Sequence, residues 1–99
     1  MNRINQVHLL EREPADEMVS DFQWQAVAKL VALSRRELEV CQKLFLGKTR
    51  QQVADDLGIK NRTARQYVEQ LHQKLQVTNR TGLVLRIVQL RDGMDKNQY

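Results

Sequence analysis

LGIKNRTARQYVEQLHQKL, residues 57 to 75, carries two side-chain stripes at the spacing of an α-helix. Ala64, Tyr67, Val68, Leu71 and Leu75 fall on one side, and Arg62, Arg65, Gln66, Glu69 and Gln73 on another. One stripe is fit to pack against neighbours and the other to read a polar partner.

Working upstream, Ser34-Arg35-Arg36-Glu37 has the form of a capping box, in which the Ser34 hydroxyl accepts from the Glu37 amide and Glu37 reaches back to the Ser34 amide. It predicts a helix from about 35 to 46, with Leu38, Cys41, Leu44 and Phe45 inward and Gly47 ending it in a left-handed conformation. Thr49-Arg50-Gln51-Gln52 repeats the pattern with Gln as the reciprocal residue, predicting a short helix from about 50 to 57 with Val53, Ala54 and Leu57 inward. Gly58 and Ile59 supply a tight turn with an apolar anchor, and Asn61 is the expected cap of the striped helix at about 61–75. Helix, short glycine turn and helix together form a helix-turn-helix.

Downstream, Asn79 is the expected cap of a last helix at about 80–91. Leu83, Val84, Leu85, Ile87, Val88 and Leu90 cover more of its circumference than a one-sided surface helix needs, which implies a second buried face. Gly93 is expected to stop it, leaving Asp95 to Tyr99 as a fraying tail. At the other end, residues 1 to 13 give no clear pattern beyond Val7, Leu9 and Leu10, and Pro14 opens a helix with Asp16 and Glu17 near its positive end. Its stripe of Met18, Val19, Phe22, Ala26, Val27, Leu30 and Val31 runs to about Ala32; Trp24 lies off it, either as an exposed interface anchor or as core. The expected fold is all-α: an N-terminal segment 1–33 with one amphipathic helix, a four-helix unit 34–91 and a flexible tail 92–99.

Ninety-nine residues with one proline and four glycines suit one small helical core. The formal charge of +4 is unevenly spread. Residues 1–33 hold three basic and five acidic side chains, and residues 34–99 hold thirteen and seven, so the basic part coincides with the helix-turn-helix. A polyanion such as nucleic acid suits it. Cys41, the only cysteine, sits in an apolar rhythm and reads as core. No apolar run approaches a membrane span and no signal peptide is visible, so a cytoplasmic protein without membrane partners is expected. His8 and His72 have no metal-ligand spacing and no phosphate loop or nucleophilic set appears, so no catalytic residue, metal or cofactor is expected.

The ordered set LSRRELEV (33 to 40), the Leu44 to Gly47 helix end, VADDLGI (53 to 59), RTARQYV (62 to 68), QKLQV (73 to 77) and NRT (79 to 81) resembles the LuxR/NarL/GerE type of DNA-binding domain over a little more than half the chain. The resemblance implies a four-helix fold, here preceded by an additional helix, and a bacterial or phage transcription regulator that reads double-stranded DNA in the major groove. By motif position, Arg65, Gln66 and Glu69 would face base edges, with Arg62 and Thr63 nearer the backbone. Arginine can bond guanine O6 and N7 together, and glutamine adenine N6 and N7. Lys48, Thr49 and Arg50 at one helix start, with Lys74, Asn79 and Arg80 beyond the reading helix, are the candidate phosphate contacts.

The last helix resembles that family's dimerisation helix, which implies a homodimer with Leu83, Val84 and Ile87 inward and Leu85, Val88 and Arg91 toward the partner. This sequence departs from the family pattern at Lys60, Ala64, Glu69 and Gln76. Glu69 stands where basic or small polar residues are common, and either accepts from a cytosine N4 or repels phosphate. With no sensor domain in view, the alternative function is a small protein-binding modulator that pairs with a larger regulator of this type or with RNA polymerase.

Overall fold

The computed structural model describes residues 18 to 96, with side chains as far as Met94. Five helices make up the described chain and no strand occurs among those residues: α1 (Asp21–Leu30), α2 (Arg35–Phe45), α3 (Arg50–Leu57), α4 (Asn61–Leu75) and α5 (Arg80–Lys96). The expected all-α architecture, a helix-turn-helix unit with one additional helix before it, is the one observed. The readings placed on Val7, Leu9, Leu10, Pro14, Asp16 and Glu17 and on the last three residues lie outside the described residues.

Both expected capping boxes form. Ser34 Oγ accepts from the Glu37 amide at 3.1 Å while Glu37 accepts from the Ser34 amide at 2.8 Å, and Thr49 and Gln52 repeat this at 3.1 and 2.8 Å. Gly47 and Gly58 take positive φ at the ends of α2 and α3, where a side chain would be strained. Asn79 caps α5, its Oδ1 accepting from the Gly82 amide at 2.8 Å.

Four expectations need correction. The first helix does not run unbroken past residue 20, because Ser20 and Gln23 form a third capping box that starts α1 at Asp21. Its buried face is also turned: Trp24 and Val27 are inside with Val19, whereas Phe22 and Leu30 of the expected stripe are 76% and 62% exposed. Trp24 is therefore core, packed edge-on against Phe45 with ring centroids 5.4 Å apart. The N-cap of α4 is Lys60, without a side-chain cap bond, and Asn61 is the first helical residue, its amide engaged elsewhere. Finally, α5 passes through Gly93 to Lys96. A single glycine costs a helix only about 1 kcal/mol, and Met94 packs against the core beyond it.

The core joins Val19, Trp24 and Val27 to Leu38, Val40, Cys41 and Leu44 of α2, Val53 of α3, Leu71 and Leu75 of α4, and Leu83 and Ile87 of α5. Packing of α4 against both α2 and α3 fixes its orientation, while α1 lies against α5. Burial pushes the Cys41 thiol up to about 12, so it remains a neutral apolar filler.

Candidate nucleic-acid interface

The two stripes of α4 separate as the spacing predicts. Ala64, Leu71 and Leu75 are buried and Tyr67 and Val68 half-buried against the core, while Arg62, Arg65, Gln66, Glu69 and Gln73 are exposed. Thr63 is half-buried at the first turn. The outer face thus presents two guanidinium groups, two amides and one carboxylate on a rigid helix, groups able to pair with base edges and, for the donors, with phosphates.

An amide clamp joins the first turns of α3 and α4. Asn61 Nδ2 donates to Gln51 Oε1 at 2.6 Å, and Arg50 Nε donates to Asn61 Oδ1 at 3.0 Å. Gln51 in turn donates to Asp55 at 2.9 Å. Asn61 was expected to cap its own helix; it instead ties the first turns of both helices together. A clamp between side chains ten and eleven residues apart has no local sequence signature.

The candidate phosphate contacts are spread over three regions and most are already engaged. Lys48 Nζ donates to Asp56 at 2.6 Å and Lys43 Nζ does so at 3.4 Å, and the Lys48 hydrogen bond is the main cause holding the Asp56 carboxyl below its usual range. The Thr49 hydroxyl caps α3, which leaves the first amides of that helix and the Arg50 guanidinium as the cationic features of its start. Arg80 donates to the Lys48 carbonyl and so braces the loop before α3 against the start of α5, while Asn79 caps α5 itself. Lys74 is held most fully: its ammonium donates to Glu37 Oε1 and to the Ala32 carbonyl, each at 2.7 Å.

On the exposed face of α4, Arg65 Nε lies 3.6 Å from Glu69 Oε2 one helical turn away, with both side chains about two-thirds exposed. The expected partner-facing residues of α5 differ among themselves. Leu85 is 56% exposed, Val88 is half-buried, and Arg91 is bound within the chain, donating to the Met18 carbonyl at 2.9 Å and to Asp92 at 2.8 Å.

None of the described helices is long and apolar enough to cross a membrane. No group of His, Cys, Asp and Glu suited to hold a metal occurs among the described residues. No curated relative and no solved structure matches the chain. The model of the family described as bacterial regulatory proteins, luxR family, matches residues 31–87, from the end of the α1 region through α2, the helix-turn-helix and half of α5. That span exceeds half of the 99 residues, and the chain belongs to the LuxR family of bacterial regulatory proteins, whose GerE domain is a DNA-binding helix-turn-helix of transcription regulators and not an enzyme.

Proposed function

We propose that this protein is a sequence-specific transcription regulator that lays α4 in the major groove and works in the cytoplasm as a homodimer on double-stranded DNA. The observation that carries this reading is the outer face of α4, where Arg62, Arg65 and Gln66 stand exposed on a helix whose other face is locked into the core. Arg65 and Gln66 supply base-edge contacts, while Arg62 and Thr63 lie nearer the phosphates. Lys48, Thr49 and Arg50 line the backbone beside α3, with Asn79 and Arg80 at the start of α5. Lys74, whose ammonium is held by the Glu37 carboxylate and the Ala32 carbonyl, is the weakest of the candidate phosphate contacts. Leu85 and Val88 form the twofold contact.

A second reading, a protein-binding modulator of a larger regulator or of RNA polymerase, is favoured by the exposed Phe22 and Leu30 on the helix outside the family match. Titrations of genomic promoter fragments at several salt concentrations separate the two. Under the DNA reading, affinity falls steeply with salt as phosphate counterions are released, by a slope of roughly 0.9 per phosphate neutralised. Arg65→Ala reduces the preference for specific over random duplex by relaxing it at one position, while Lys48→Ala weakens both alike and lowers the salt slope by about 1. No binding to any fragment at low salt, together with tight capture of a regulator, would establish the modulator instead.

A further inference from the structure

We infer that Glu69 is a positioning residue for Arg65, holding its guanidinium for guanine, and not itself a reader of bases. This rests on the DNA-reading function proposed above. The approach is to the nitrogen nearest the aliphatic stem: Glu69 Oε2 lies 3.6 Å from Arg65 Nε, and among the described residues neither side chain forms another ion pair. The terminal N–H groups of the guanidinium form the fork that matches guanine O6 and N7. Glu69 is one helical turn after Arg65, so its side chain leans back toward the preceding turn and over the arginine.

The separation exceeds a hydrogen bond, and with both side chains about two-thirds exposed the pair contributes little to folding in water. Its value lies in the complex. A free arginine loses substantial rotamer freedom when it docks, and a carboxylate that already restricts the guanidinium reduces that loss. Entry into the groove excludes water from the pair and strengthens the attraction. Neutralisation by Arg65 also offsets the repulsion that a lone carboxylate would suffer among phosphates. A direct contact from Glu69 to a cytosine N4 would instead require the carboxylate to leave the arginine and present itself to the base alone.

The test is selection from a randomised double-stranded DNA library by the full chain and its Glu69→Gln, Arg65→Ala and doubly substituted variants, with sequencing of the bound pool. Glu69→Gln is expected to lower the guanine preference at one position by roughly three- to tenfold, with every other position unchanged, and to raise affinity for random duplex. Arg65→Ala should erase the preference at that same position, and adding Glu69→Gln should change it no further. Loss of a cytosine preference at a separate position on Glu69→Gln, with the guanine intact, would overturn the inference in favour of direct reading. An unchanged motif in Glu69→Gln would overturn it as well. If the unsubstituted protein enriches no motif, the DNA-reading function falls together with the inference, an outcome distinct from the other two.

Discussion

Glu37 shows how much one side chain carries here. It is the most buried charged residue among those described, 4% exposed, and its carboxylate completes the α2 capping box while receiving the Lys74 ammonium from the end of α4. Burial alone would raise its pKa, but the hydrogen bonds from Lys74 and the Ser34 amide, with the charge of Lys74, outweigh that and hold it below the ordinary 4.5. A carboxyl depressed in the folded state contributes stability that is complete above its unfolded value and is lost as pH falls through the lower folded value. Lys74→Met is therefore expected to cost about 1–2 kcal/mol at pH 7, less than a fully buried pair because Lys74 is partly solvated. In acid below the folded value of the unsubstituted protein, where Glu37 is protonated in both proteins, that difference should shrink. Urea midpoints at the two pH values check this, and an undiminished difference in acid would mean that packing of the lysine stem, not its charge, is what was lost. The capping half of this arrangement was legible from Ser34 and Glu37 three residues apart. The Lys74 half was not, because it joins residues 37 positions apart and nothing local distinguishes this lysine from one aimed at phosphate.

At the scale of the helices, legibility followed the range of the forces that set each boundary. The Ser34 and Thr49 boxes and the Gly58 turn act within four residues, so α2, α3 and the turn into α4 could be read directly from the chain. Gln76, a position where the chain departs from the family pattern, ends α4 at φ +58°, a left-handed cap that is costly for a residue with a side chain. The first helix is less legible for two reasons. The Ser20 and Gln23 start signal lies within a longer apolar rhythm, and a stripe through Phe22 and Leu30 is as apolar in sequence as the face that is buried. Only the tertiary partners, Phe45 and the side of α5, select Trp24 and Val27. This orientation is open to measurement. Trp24→Ala should destabilise the protein by about 3–5 kcal/mol in chemical denaturation, since it empties a closed core site. Phe22→Ala on the exposed face should stay within about 0.5 kcal/mol. Comparable losses at both positions would place α1 in another rotation about its axis.

For the whole molecule, the basic charge and the ordered motifs pointed to the helix-turn-helix and its polar outer face, but assembly depends on surface that sequence periodicity cannot apportion. The surplus apolar residues of α5 implied a second covered face, and α1 of the same chain covers part of it, with Arg91 donating to the Met18 carbonyl where the two segments meet. Half-burial of Val84 and Leu90 against the core leaves Leu85 as the large apolar side chain of α5 that stands most open. An isologous dimer needs a patch that meets its own copy across a twofold axis, and Leu85 with Val88 offers one on a rigid helix. Two reading helices related by that axis would then meet inverted half-sites about one helical turn of DNA apart, roughly 10 base pairs between centres. Leu85→Glu places like charges across the axis, so it should weaken binding to a full inverted site by about tenfold or more while leaving affinity for an isolated half-site unchanged. Sedimentation of the free protein and titration of both DNA lengths measure the two effects separately. Equal affinity of the variant and the original protein for the full site would move the twofold contact away from α5, toward the exposed face of α1 that carries Phe22 and Leu30.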